Sequence, residues 1–324
     1  MTHGLVIGKF LPLHRGHVHL LEAAAAECER VSVIVCDAGW HDLSPELRGK
    51  WIGESLPSAH VAVVDQDAVG LGDDDSEGWA SATRKALGSA PDVVFSSEDY
   101  GPVFSHYLGA RHVMVDRNRE NVPIRAADVR ADPLANLDAM PPHVRSHFVK
   151  RVCVIGAEST GKSTLATDLA ENLDAVVVPE FGRFYTEAMP DPSRYRWDSD
   201  DFSAIARTQA SFEDDAARWS GPVLVCDTNP FVTSVFREAY LGVANPALSE
   251  WTRRRRYDLF LLCDLRTPFE QDGTGLRHNG VIRERMQKDY TAYAAAQAGT
   301  LVTLQGDRQT RLRAATSAVL DLLR

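Results

Sequence analysis

The run Gly156-Ala157-Glu158-Ser159-Thr160-Gly161-Lys162-Ser163 follows the apolar stretch Val152 to Ile155 and leads into Thr164-Leu165-Ala166. A G-x-x-x-x-G-K-[ST] turn between a strand and a helix is a phosphate-binding P-loop. Its glycines let successive backbone N–H groups converge on phosphate oxygens, and the helix start adds positive potential. Lys162 is placed to neutralise β- and γ-phosphate charge, and Ser163 to hold Mg²⁺. The chemistry such a turn serves is nucleotide-dependent phosphoryl transfer, with ATP as substrate and Mg²⁺ as cofactor.

Around that turn the chain alternates short β-rich apolar runs with helical patterns. The first half has Leu5 to Ile7, Val31 to Val35, Val61 to Val64, Val93 to Phe95 and His112 to Val115; the second has Val152 to Ile155, Val176 to Val178, Val223 to Cys226, Leu259 to Cys263 and Leu301 to Leu304. Such alternation predicts an α/β fold of parallel βαβ units. With 324 residues, 44% of them hydrophobic, the chain is long enough for two cores. The boundary is expected within Ala131 to Lys150, where Asp132-Pro133 and Pro141-Pro142 interrupt helix. This gives domains over residues 1–145 and 146–324.

The formal charge of −10 argues against a general nucleic-acid or anionic-membrane surface, so any phosphate site must be a local basic pocket. Five cysteines, never spaced Cys-x-x-Cys, read as reduced core residues. No apolar run approaches the roughly 20 residues of a membrane span, and the start lacks the blocks of a signal peptide. A cytoplasmic enzyme acting on small molecules is expected; a homo-oligomer stays open.

Two carboxylates sit at expected strand ends, Glu180 after Val176 to Val178 and Asp227 after Val223 to Cys226. Open α/β sheets collect ligands there, so both are candidates for a catalytic base, a clamp on a substrate hydroxyl or, for Asp227, a Mg²⁺ ligand. Arg277, Arg283 and Arg285 lie on a glycine-hinged segment that looks like a closing lid, in which an arginine would stabilise charge on the transferring group. Arg253 to Arg256 reads as a solvated helix face, and Asp73 to Asp75 as a polar loop.

A second phosphate motif follows the first strand: Gly8-Lys9-Phe10, then Pro12, His14, Gly16 and His17. Two imidazoles three residues apart at a helix start can face one anion. The arrangement suits nucleotidyl transfer, in which a substrate phosphate oxygen attacks the α-phosphorus of ATP and catalysis is mainly positioning and charge stabilisation. Lys9, His14 and His17 would bind phosphates there. Trp79, beside a glycine and a polar loop, is a candidate for stacking on a substrate ring, and Arg48 with Trp51 is a weaker pair of the same kind.

Taken together, these motifs resemble the bifunctional NadR family, a nicotinamide-mononucleotide adenylyltransferase followed by a ribosylnicotinamide kinase. The resemblance rests on Gly8-Lys9-Phe10 with His14-Arg15-Gly16-His17, on Phe95 to Glu98, on Val149 to Val152 leading into Gly156 to Ser163, on Glu180 to Arg183, on Asp227-Thr228, and on Asp272-Gly273 with Arg277. It implies a Rossmann-like nucleotidyltransferase domain before a P-loop kinase domain. Gly8, Lys9, Phe10, His14, His17, Arg130, Gly156, Glu158, Ser159, Thr160, Gly161, Lys162, Ser163, Thr164 and Arg277 would contact ATP. Trp79, Arg48, Glu180 and Asp227 would contact substrates, and Lys162, Asp227, Glu180 and His17 would carry catalysis. It also implies that the helix-turn-helix repressor domain of some members is missing here. One stretch departs from the pattern: where the family reads Ile-Ser-Gly/Ala-Thr-x-Ile/Val-Arg, this chain has Ile124-Arg125-Ala126-Ala127-Asp128-Val129-Arg130. Two hydroxyls expected to meet ATP phosphates are absent. Each hydrogen bond lost to a charged acceptor is worth about 1.5–3 kcal/mol, so the first activity is expected to be weakened. The alternatives are an active kinase with a nucleotide-binding first half that does not turn over, a pyridine-nucleotide sensor, and a fused adenylyltransferase and kinase of coenzyme A synthesis.

Overall fold

All ten apolar runs become strands, and every strand pair is parallel. The computed structural model describes residues 1–39, 41–266 and 280–324. The chain divides into two units, Met1–Phe148 and Val149–Arg324. The first holds β1 (His3–Gly8), β2 (Arg30–Asp37), β3 (His60–Asp65), β4 (Val93–Ser96) and β5 (Arg111–Met114), in the order β3-β2-β1-β4-β5. The second holds β6 (Lys150–Ile155), β7 (Val176–Val178), β8 (Val223–Asp227), β9 (Leu259–Cys263) and β10 (Thr300–Leu304), in the order β10-β9-β6-β8-β7.

The central strands are continuously apolar because helices cover both faces of each sheet. Leu5, Ile7, Ile34 and Val94 pack with Phe104 and Leu108 in the first unit. In the second, Val152, Val154, Val225 and Leu261 pack with Leu165, Leu169 and Val319. In both sheets the first strand laid down is central: the chain fills one side of it, then crosses to the other. A crevice opens past the carboxyl end of the strand where the order reverses. Gly8 ends β1 and Gly156 follows β6, so both phosphate motifs stand at such a point. The five cysteines are buried and free. Among the described residues no helix is long and apolar enough to cross a membrane.

Candidate functional site

In the second unit the turn after β6 leads into the helix Lys162–Leu173. Gly156, at φ 150°, has no room for a side chain: a Cβ would stand 2.8 Å from the Cys263 carbonyl oxygen and 2.9 Å from Thr160 Oγ1. Gly161 takes φ 81° at the helix cap, a left-handed conformation that glycine adopts without steric cost. The Ala157 carbonyl accepts from Thr160 Oγ1 at 2.8 Å and from the buried Lys162 Nζ at 3.0 Å. Three distant side chains hold the turn from outside. Gln287 Oε1 accepts from Ala157 N at 2.9 Å while its Nε2 donates to the Cys263 carbonyl; Arg283 Nε donates to the Glu158 carbonyl; Arg311 donates to the Thr160 carbonyl and to Asp264. Gln287 and Arg311 carry no motif in the sequence, since they act on backbone more than 120 residues away.

The two strand-end acids join Lys162 and Ser163 here. Asp227 accepts a hydrogen bond from the Ser163 hydroxyl, and its Oδ1 is buried with no hydrogen-bond partner. Burial raises the Asp227 carboxyl above its ordinary range, opposed by the Ser163 bond and by the charges of Lys162 and Arg183. Glu180, at the cap of the helix Phe181–Glu187, is also raised by burial; Lys162 pulls it down and Asp227 pushes it up. Among the described residues no group of three or more His, Cys, Asp or Glu is arranged to hold a metal. A Mg²⁺ that travels with nucleotide phosphates needs only one or two protein ligands. Ser163 Oγ and the unsatisfied Asp227 Oδ1 fit that requirement.

Beside Lys162 opens a pocket walled by Glu158, Ser159, Glu180, Arg183 and Glu187 and by the rings of Trp197, Phe202, Phe236 and Tyr240. Trp197 lies 5.4 Å from Phe202 and 5.8 Å from Tyr240, centroid to centroid, and its Nε1 is buried without a hydrogen-bond partner. A separate pocket against the other side of the turn is lined by Thr160, Gly161, Thr164, Arg266, Asp307 and Arg308 among others.

In the first unit the turn after β1 places Phe10 at φ 51° with its ring buried. His14 caps the helix Arg15–Glu27. The Gly16 N–H donates to His14 Nδ1 at 3.1 Å and the His14 N–H donates to His17 Nδ1 at 3.3 Å. The two rings stack with centroids 3.8 Å apart. Burial, helped by the charge of Arg119, pushes His14 down to about 4; burial and the neighbouring His14 push His17 well below its ordinary value. Both imidazoles are therefore neutral at pH 7, and since each Nδ1 accepts from backbone, each Nε2 carries the proton. The pair offers two neutral N–H donors rather than two cations.

Because the unfolded chain takes up a proton at His14 near 6.5 and the folded chain only near 4, the unfolded state binds more protons between those values. Stability contributed by neutral His14 is thus present above 6.5 and lost as pH falls toward 4. Thermal melting over that range is expected to show the loss. His14→Asn, which keeps a cap acceptor with nothing to titrate, is expected to lessen the loss, leaving the part that His17 and the other lowered histidines contribute.

Several expected contacts fall elsewhere. Arg48 is not placed to reach a substrate: it is fully buried, and its guanidinium donates to the Lys9, Cys36 and Leu43 carbonyls and to Asp37, tying the end of β2 to the first turn. Trp79 is a core residue rather than a stacking platform. It packs with Ile7, Cys36 and Val64, and its Nε1 donates to the Gly72 carbonyl. Trp51 is likewise buried. Lys9 pairs with Asp73 at 2.8 Å and Asp75 caps the helix Ser76–Leu87, so the acidic loop serves lysine and helix. Arg125 stands at the start of the helix Ala126–Ala131 without capping it, and Arg130 donates to the Leu11 carbonyl at 3.3 Å. Arg253 to Arg256 is not simply a solvated face: Arg255 pairs with buried Glu213 at 3.1 Å, and Arg253 lies 4.6 Å over the Phe231 ring. Arg285 pairs with Glu238. Asp272, Gly273 and Arg277 lie outside the described residues.

The family described as AAA domain matches residues 151–311. Over 308 residues the chain is 26% identical to the trifunctional NAD biosynthesis/regulator protein NadR of Escherichia coli, covering 88% of this chain and 74% of that protein. The Salmonella typhimurium protein of the same name is 26% identical over 303 residues, with the same coverage. The crystal structure of NadR in complex with NR superposes with a TM-score of 0.73 at 20% identity, over 99% of this chain and 96% of that one. The structure of NadR with NAD and AMP-PNP does so with a TM-score of 0.69 at 20% identity, over the same shares. The order of the two phosphate motifs, the two parallel sheets that carry them and the likeness along most of the sequence agree: this chain is a homologue of NadR.

Proposed function

We propose that the second unit transfers the γ-phosphoryl group of ATP to the 5′ hydroxyl of ribosylnicotinamide, and that the first unit joins the resulting mononucleotide to AMP, giving NAD and pyrophosphate. The observation that carries the reading is the pocket beside Lys162. Four aromatic rings and three glutamates suit a ring bearing a fixed positive charge, as a pyridinium does, because ring faces and carboxylates both attract cations. ATP phosphates would lie on the turn amides and Lys162. Glu180 would hold the 5′ hydroxyl and take its proton as the oxygen–Pγ bond forms and the bond to the β-phosphate oxygen breaks. Mg²⁺, held by Ser163 and Asp227, supplies charge neutralisation on the phosphates when bound.

In the first unit the mononucleotide phosphate oxygen would attack the α-phosphorus with loss of pyrophosphate, His14 and His17 donating from Nε2 to phosphate oxygens. A second reading, an active kinase with a first unit that binds nucleotide without turning over, is favoured by the missing cap at Arg125.

Purified protein given ATP, Mg²⁺ and ribosylnicotinamide is expected to form the mononucleotide; no turnover would sink the kinase reading. Trp197→Ala is expected to raise KM for the cationic nucleoside about 30-fold, the equivalent of losing roughly 2 kcal/mol of cation–π contact, with KM for ATP unchanged. An equal rise for both substrates would count against the pocket assignment.

A further inference from the structure

The helix Ser199–Ala217 contributes Phe202 and Ile205 to the substrate pocket and, one turn on, buries Gln209. Gln209 Oε1 accepts from the Phe181 N–H at 2.8 Å. That amide belongs to the peptide joining Glu180 to Phe181, at the start of a helix that Glu180 leaves without a side-chain cap. On its other side Gln209 Nε2 donates to Glu213 Oε1 at 3.4 Å. Glu213 is fully buried; its other oxygen accepts from the Tyr257 hydroxyl at 2.7 Å and from Arg255 Nη2 at 3.1 Å. Arg255 and Arg151 also share Asp214.

The Phe181 N–H can only donate, so the amide oxygen of Gln209 must face it and the amide nitrogen faces Glu213, whose carboxyl is raised by burial and lowered by Arg255, Tyr257 and Arg151. The side chain cannot flip without placing a donor against the Phe181 N–H donor. The amide thus has one orientation, backed by a buried network remote from the chemistry, and it holds the peptide bearing Glu180.

We propose that Gln209 is a positioning residue for phosphoryl transfer, acting through Glu180; this rests on the role given to Glu180 above. Small displacements of a group that must meet a hydroxyl reduce rate by large factors, about 100-fold for 1 Å. A residue that only supported the fold would affect Glu180-dependent and Glu180-independent turnover alike.

The test is a double-mutant cycle on the full chain, measuring ribosylnicotinamide phosphorylation. Gln209→Leu, close in volume and unable to make either bond, is expected to lower kcat at least about tenfold with KM for ATP within about twofold of the parent. Gln209→Met serves if the leucine variant does not fold. Glu180→Gln is expected to lower kcat further, and adding Gln209→Leu to it is expected to change little, since the two act as one unit. Unchanged kcat in Gln209→Leu, or losses that multiply in the double variant while Glu180→Gln alone is impaired, overturns the role of Gln209. Full activity in Glu180→Gln overturns the role given to Glu180, and Gln209's with it.

Discussion

Lys162→Ala is expected to lower the kcat of nucleoside phosphorylation by about 10³-fold, the scale seen when one group stabilising a transferring phosphoryl is removed. At 1.36 kcal/mol per factor of ten this corresponds to roughly 4 kcal/mol of transition-state stabilisation. Nζ rests 3.0 Å from the Ala157 carbonyl and exerts its charge on both Glu180 and Asp227. Its loss would therefore remove a phosphate contact and the cation that keeps two buried acids from repelling each other. Pyrophosphate release from mononucleotide and ATP should continue at the parent rate. Equal loss of both activities would contradict two independent sites.

His17→Ala is expected to do the reverse, lowering adenylyl transfer by about 10²–10³-fold while leaving phosphorylation untouched. Part of the loss is a missing Nε2–H donor. Part is that the His14 N–H loses its acceptor, which loosens the helix start by the roughly 0.5–2 kcal/mol of a cap. His17→Asn keeps a donor and an acceptor and should recover some activity. Pyrophosphate release by the parent and the two variants checks this. A silent parent with an active kinase selects the reading of a first unit that binds but does not turn over.

The turn after β6 was legible because its shape is written in adjacent residues: a glycine where a side chain would strike Cys263, and a lysine and a serine at a helix start. Glu180 and Asp227 were legible because strand ends are predictable from apolar runs. The aromatic pocket was not, since Trp197, Phe202, Phe236 and Tyr240 come from three separate segments and each taken alone reads as ordinary packing. Arg48 and Trp79 misled for the opposite reason. Their types suit ligands, yet in the fold Arg48 gathers the backbone carbonyls of Lys9, Cys36 and Leu43, and Trp79 fills the space between sheet and helix. The pairing of Arg255 with Glu213, 42 residues apart, needs the tertiary fold to be seen.

The stacked pair at His14 and His17 has a consequence for coordination chemistry. Each ring has one nitrogen lone pair in its plane, and in both rings a backbone N–H already occupies it. Here neither can act as a Lewis base without first breaking the hydrogen bonds that begin its own helix. What the pair has left to offer a ligand is donation from its two Nε2–H groups, the form of contact an anion would take.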